Sequence, residues 1–206
     1  MLTVWGRRNS INVQKVMWAV GELGLPHRRL DAGGAFGGLD TASYARLNPN
    51  RRVPTLEDGD FVLWESNAIV RYLAEVYGRA PFFPDDARGR ALAGQWMDWM
   101  TTTLLPPLTV VFWGLIRTPP ERRDAAAIES ALAGCAEAFR LLDGQLEGRD
   151  FLLGEALTMG DLPVGCAAYR WLALPIERPA LPALEAYHAR LAARPAFAEH
   201  VMLPLT

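Results

Sequence analysis

Four short stretches carry residue types at spacings that chemistry can use. The first is Val53-Pro54, at the head of a strand-like run. Proline lacks a backbone N–H, so it belongs at a strand edge, a strand start or a bend. The simplest reading is a trans proline at a sheet edge. If the bond is cis, the bend presents the N–H and C=O of Val53 to an incoming extended peptide. The second is Glu65-Ser66, just ahead of a helical pattern. Serine there is an ordinary helix cap, but the same position also offers free N–H groups and a positive dipole end to a ligand carboxylate. With Glu65 accepting from an ammonium, the pair would clamp the zwitterionic head of an α-amino acid. The third is Arg7-Arg8-Asn9-Ser10-Ile11-Asn12. Ser10 or Asn12 either caps the helix that follows or turns its donor toward a thiolate and lowers its pKa. The fourth is Thr158-Met159-Gly160-Asp161, a T-x-x-D capping box with a structural role. Pro163, two residues beyond, deletes an interior hydrogen bond unless the first turn is irregular.

The elements that must hold these residues fall into two compositional halves meeting near Gly78. Leu2–Trp5 reads as a strand. Val13, Val16, Met17 and Val20 recur at helical spacing until Gly24-Leu25-Pro26, and Arg28–Ala32 follows as a second strand. A helix between two strands implies a parallel pair. The Gly33–Gly38 run fits neither G-x-G-x-x-G nor the Walker pattern and reads as a mobile loop. A helical turn around Thr41–Leu47 stops at Asn48-Pro49. Val53–Glu57 and Phe61–Trp64 flank Asp58-Gly59 as a hairpin, and Ile69, Tyr72, Leu73 and Val76 mark a helix from near Ser66 to Gly78. Residues 1–78 are thus expected to form one β-α-β-α-β-β-α domain, 79–86 a linker, and 87–206 an all-helical domain. There Ile128, Leu132, Cys135, Phe139, Leu142 and Leu146 make one apolar helix face. The pattern from Leu92 to Thr103 runs helically until Pro106-Pro107. Trp96, Trp99 and Trp113 lie on the helices nearest the cleft between domains.

Composition narrows the function classes. With 206 residues, 50% of them hydrophobic, the chain can bury a real core without staples. Twenty-one basic against 23 acidic side chains leave a net charge of −2, which removes the electrostatic footprint of a nucleic-acid binder. Lys15 is the only lysine. Cys135 and Cys166 form no CxxC, and His27, His188 and His200 are scattered, so neither a disulfide framework nor a metal site is expected. The longest apolar stretch runs only from Leu104 to Ile116, against about 20 residues for a spanning helix. No leader pattern precedes Leu2-Thr3-Val4-Trp5. The expectation is a soluble, cytoplasmic protein with no membrane partner.

Taken in order, the motifs resemble those of the cytosolic glutathione transferase superfamily over essentially the whole chain. The matching pieces are the run from Asn48-Pro49 to Val53-Pro54-Thr55-Leu56, the run from Leu63-Trp64-Glu65-Ser66 to Tyr72-Leu73, and in the second half Phe151-Leu152-Leu153-Gly154 with Leu157-Thr158-Met159-Gly160-Asp161. The resemblance implies a thioredoxin-like α/β domain followed by an all-α domain, the glutathione transferase fold, usually as a homodimer. It implies glutathione as co-substrate and a small hydrophobic electrophile as second substrate. Val53, with Pro54 cis, would pair with the cysteinyl part of glutathione; Glu65 and Ser66 would hold the γ-glutamyl ammonium and carboxylate; Arg52 would meet the glycyl end. Ser10-Ile11-Asn12-Val13-Gln14-Lys15 resembles the bacterial Thr-x-Asn-x-x-Lys arrangement, in which hydroxyl and amide face the sulfur, so the site is of a Ser/Asn type, theta- or nu-like. The stretch has neither the tyrosine of the Tyr-dependent classes nor the cysteine of the omega and beta classes. Two other functions stay open at this point: a glutathione-dependent disulfide reductase, and a non-catalytic glutathione-binding module.

Overall fold

A computed structural model describes all of Met1–Thr206. The first half contains β1 (Leu2–Trp5), α1 (Ile11–Glu22), β2 (His27–Leu30), α2 (Ala42–Leu47), β3 (Thr55–Asp58), β4 (Phe61–Trp64) and α3 (Ser66–Tyr77). The four strands form one sheet in the order β2-β1-β3-β4. β1 runs parallel to β2, with Leu2 opposite His27, and antiparallel to β3, with Trp5 opposite Thr55. The β3–β4 hairpin turns through Gly59, whose φ of 64° suits a residue without a Cβ.

Two expected strands change their limits. β2 begins one residue earlier than the sequence pattern suggests and stops at Leu30. β3 begins at Thr55 rather than Val53, because the cis Val53-Pro54 bond takes both residues out of the ladder. The glycine-rich run is an ordered turn: Gly34–Phe36 is a short 3-10 segment, closed by a hydrogen bond from the Gly33 N–H to the Gly37 carbonyl at 2.7 Å.

The helical half contains α4 (Ala87–Trp99), α5 (Leu105–Phe112), α6 (Ala125–Leu146), α7 (Asp161–Ala173), α8 (Pro182–Ala192) and α9 (Pro195–His200). Pro106-Pro107 does not end the first of these helices, as its pattern suggested. Met100–Leu104 widens into a π-helical segment, and both prolines then fall in the first turn of α5, where no intrahelical N–H is needed. A second π segment, Trp113–Arg117, extends the run. Ala87–Arg117 is therefore one 31-residue helical spine, long and apolar enough by length and composition alone to cross a membrane. Its Met97, Met100, Leu104, Leu108, Val111 and Phe112 are instead buried in the core of the helical half. Pro163 is explained in the same way, since it lies in the first turn of α7.

α1 is the centre of the molecule. It packs against α3 within its own half and against α7 and α9 of the other. Every residue from Val13 to Val20 is buried, Gln14 and Lys15 included. A helix enclosed on all sides has no solvated stripe, and its N-terminus is thereby fixed where the two halves face each other. Asn67 and Arg71 of α3 reach across to α4: the Asn67 amide donates to the Met97 carbonyl at 2.8 Å, and Arg71 pairs with Asp98.

Candidate active site

The Val53 loop is held from below. Asn48, which ends α2, donates from its amide to the Arg52 carbonyl at 2.9 Å, and the buried Tyr44 hydroxyl donates to the same carbonyl at 2.7 Å. Tyr44 also meets the Thr55 hydroxyl at 2.9 Å. Gly6 closes the packing from β1, where a Cβ would run into the side chains of Val13 and Val53. The Arg52 carbonyl is thus occupied twice, whereas neither the N–H nor the C=O of Val53 has a partner in the chain. The cis Val53-Pro54 bend leaves a bare peptide edge.

The two helix N-termini beside it are also left open. Ser10 occupies the N-cap of α1, but its hydroxyl makes no cap hydrogen bond. It is 9% exposed and lines the cleft together with Asn12. At α3 the N-cap is Glu65, not Ser66, and Glu65 adopts φ 70°, in the left-handed region that non-glycine residues rarely enter. Ser66 is the first residue of the helix; its hydroxyl is turned toward Asn12, donating to Oδ1 at 3.4 Å. Neither serine is a plain cap.

These residues border two adjoining chambers. The larger, about 450 Å³, is lined by Ser10, Asn12, Arg52 and Val53 on one side and by Leu105, Phe112 and Trp113 on the other. The smaller, about 260 Å³, is lined by Lys15, Glu65, Ser66 and Asn67. Asn12 and Leu105 border both. The structure therefore brings Ser10, Asn12, Arg52, Val53, Glu65 and Ser66 together, with Pro54 buried behind the loop. Of Trp96, Trp99 and Trp113, of which at best one or two are expected to line the cleft, Trp113 does so. Phe82 and Phe83, in the connection between halves, pack against the chain's own core.

Sequence reasoning missed several contributors. Tyr44 and Asn48 position the Val53 loop without lining the cleft. Lys15 is enclosed under the smaller chamber, 1% exposed; burial pushes its ammonium down to about 8, with Cys166 and Glu65 opposing that shift and Arg170 adding to it. Arg7, Arg117 and Arg170 line the larger chamber. Burial lowers Arg170 to about 10, and the nearby Arg117 and Arg7 add to the shift. Cys135 and Cys166 are both free and buried, and burial pushes both thiols up to about 12. No group of three His, Cys, Asp or Glu residues is placed to hold a metal.

Thr158–Asp161 lies away from the groove, inside the helical half. The Asp161 carboxylate accepts from the Leu152 N–H at 3.0 Å, the Thr158 N–H at 2.8 Å, the Thr158 hydroxyl at 3.0 Å and the Tyr187 hydroxyl at 3.1 Å. Burial still raises it to about 6.

A four-stranded α/β half with a cis-proline bend, joined to a helical half across a groove, defines a class of protein, and comparison identifies it. Residues 1–75 match the family described as Glutathione S-transferase, N-terminal domain, and residues 97–195 that described as Glutathione S-transferase, C-terminal domain. The chain belongs to the cytosolic glutathione S-transferase superfamily and is theta-like within it. It is 40% identical to glutathione S-transferase GstB of Escherichia coli strain K12, with all of both chains covered. It is 49% identical to a theta class glutathione S-transferase of the citrus canker pathogen Xanthomonas axonopodis pv. citri, solved with glutathione bound, at a TM-score of 0.96 over 100% of this chain and 99% of that one. Glutathione S-transferase D7 of Drosophila melanogaster is 38% identical over 59% of this chain and 53% of its own.

Proposed function

We propose that the protein is a glutathione transferase that lays glutathione along the two-chambered groove and delivers its thiolate to an electrophile in the larger chamber. The observation that carries this reading is the set of unused polar groups along one groove: the Val53 peptide edge, the Ser10 hydroxyl and the uncapped N-terminus of α3. Val53 pairs backbone to backbone with the cysteinyl unit. Ser66 and the first turn of α3 receive the γ-glutamyl carboxylate, Glu65 the ammonium, and Arg52 the glycyl end.

This placement puts the sulfur at the N-terminus of α1. A free thiol of pKa about 8.5 is only a few per cent ionised at pH 7. Lowering it by about 2 units takes roughly 2.7 kcal/mol of preference for the thiolate. One or two hydrogen bonds from Ser10 and Asn12, the helix dipole and the nearby charge of Lys15 are of that order. The thiol proton leaves to solvent. The sulfur then forms a bond to the electrophilic carbon while the leaving group departs with its electron pair.

Both protein thiols, Cys135 and Cys166, are buried, and burial pushes each up to about 12, so no protein disulfide takes part in this scheme. We place the domain boundary at residues 79–86 and assign the protein to the cytoplasm as a homodimer, which sedimentation at twice the chain's mass would support. Side-by-side assay with glutathione against a chloronitroarene and against a small disulfide tests the reading. Conjugation is the expected dominant activity; turnover of the disulfide alone would replace it with a reductase.

A further inference from the structure

The larger chamber has one charge sign. Arg7, Arg51, Arg52, Arg117 and Arg170 line it, and no aspartate or glutamate does. The arginines divide by position. Arg51 and Arg52 sit on the exposed Val53 loop, where the glycyl end of glutathione is assigned. Arg170 comes from α7, deep in the opposite wall, and Arg117 from the end of the π segment above it.

Arg170 is the telling member. It is 7% exposed, yet its guanidinium makes no ion pair and donates to no acceptor in the chain. It stacks on Phe112, with its central carbon 4.0 Å from the ring centroid, and it faces the chamber. Arg117 lies over the faces of Phe112 and Trp113 at 5.1 and 4.7 Å, and its only hydrogen bonds run to the Thr206 backbone oxygen, at 3.0 Å from Nη2 and 3.3 Å from Nε. Arg7 extends over Gly33 and Gly34 and makes no side-chain hydrogen bond. The three lie close enough to repel one another: burial first, and then its neighbours' charge, lowers Arg117 and Arg170 alike. A buried cation without a counter-charge is costly, and Arg170 is held in that state beside two half-buried arginines, Arg7 and Arg117. The fold spends its aromatic surface on holding these guanidinium planes in place, which suits planar recognition of an oxyanion.

We infer that the electrophile accepted by this protein is amphiphilic, with an apolar or aromatic body lying against Leu105, Phe112 and Trp113 and an anionic group, a carboxylate or its like, received by Arg170 and Arg117 with Arg7 in support. The inference rests on the transferase reading for the direction of attack, but the anion site itself does not depend on it. The geometry assigns the reacting carbon to the side facing Ser10 and Val53. Glutathione sulfur bonds to that carbon, the leaving group departs with its electrons, and the anionic group takes no part in the bond changes.

The test uses a matched pair of probes on the full-length protein: 4-chloro-3,5-dinitrobenzoate and its methyl ester, which share a ring and a leaving chloride but differ in charge. Each enzymatic kcat/KM is divided by the uncatalysed rate with glutathione. The parent protein is expected to favour the carboxylate at least tenfold, and Arg117→Gln and Arg170→Gln each to lower that preference about tenfold or more, with KM for glutathione unchanged. Arg170→Lys, which keeps the charge in the buried position, is expected to retain part of the preference; Arg117→Gln alters a half-exposed side chain and covers the case in which Arg170→Gln fails to fold. Calorimetric binding of 3,5-dinitrobenzoate and its methyl ester to the S-methylglutathione complex repeats the comparison without turnover. Selective binding of the carboxylate without turnover of either chloro compound would support the anion site and overturn the transferase reading alone. Equal treatment of acid and ester by the parent, in turnover and in binding, overturns the inference. So does a rise in KM for glutathione that is the same with both probes in the arginine variants, which would assign the cluster to glutathione itself.

Discussion

Helix N-termini in this molecule come in two kinds. Where a helix starts away from the groove, a side chain often closes it: Thr41 accepts from the Tyr44 N–H at α2, Asp86 from the Arg88 and Gly89 N–H groups at α4, and Asp124 from the Ala127 N–H at α6. At α7 the Asp161 side chain in the first turn instead ties down the segment before the helix, with both carboxylate oxygens filled by four donors from Leu152, Thr158 and Tyr187. The two helices that start at the groove are built otherwise. Ser10 is a capping residue type in the N-cap position and Ser66 one in the first position of its helix, yet neither hydroxyl caps, and Glu65 holds a backbone conformation that its side chain disfavours. A serine ahead of a helix therefore carries two meanings, and only its hydrogen bonding separates them. Closed termini contribute to folding, and the open ones at the groove leave donors for a ligand.

The comparison is broken or sharpened most strongly at its closed end. Asp161→Ala should remove four buried hydrogen bonds and cost about 3–5 kcal/mol of unfolding free energy by denaturant titration. A loss below about 1 kcal/mol would mean that the box closes nothing of consequence. Lys15, enclosed between the two regions, gives a pH-dependent effect. Its ammonium titrates near 8 when folded and near 10.5 when unfolded. Between those values the unfolded chain holds more protons, so this residue's contribution to stability rises with pH. Against Lys15→Met, the parent should gain on the order of 3 kcal/mol from pH 7 to pH 10.5. Taking the difference between the two proteins cancels the opposing titration of Cys135, and parallel pH curves would show that Lys15 is not held as described. At the open end, Ser66→Ala should cost about 1.5–3 kcal/mol of glutathione affinity by calorimetry while moving the unfolding free energy by no more than about 0.5 kcal/mol. The reverse pattern would make Ser66 a cap after all.

Much of this arrangement could be read from residue types. The alternation of strand and helix, the Asp58-Gly59 hairpin and the T-x-x-D box are local signals, and the structure keeps each of them. The spine from Ala87 to Arg117 was harder, because a paired proline ordinarily stops a helix and nothing local announces a π segment that shifts it into a first turn. Lys15 and Arg170 were not legible as buried groups. Polarity places a residue at the surface by default, and their burial follows from packing between the two halves that no single segment encodes. The same holds for Tyr44, whose hold on the Arg52 carbonyl depends on α2 folding back beneath the Val53 loop. The groove residues Ser10, Asn12, Arg52, Val53, Glu65 and Ser66 were legible chiefly through the order of motifs, since each alone has an ordinary structural explanation.

The central claim is that the open N-terminus of α1 receives the glutathione sulfur as a thiolate, and the direct measurement is the pH dependence of thiolate absorbance in the binary complex. The parent should titrate about 2 units below free glutathione, and Ser10→Ala should move that midpoint up by about 1 unit, equivalent to about 1.4 kcal/mol, with glutathione affinity little changed. Asn12→Ala should give the same shift if the amide is the main donor. A midpoint in the parent equal to that of free glutathione, or one that neither substitution moves, would contradict the account.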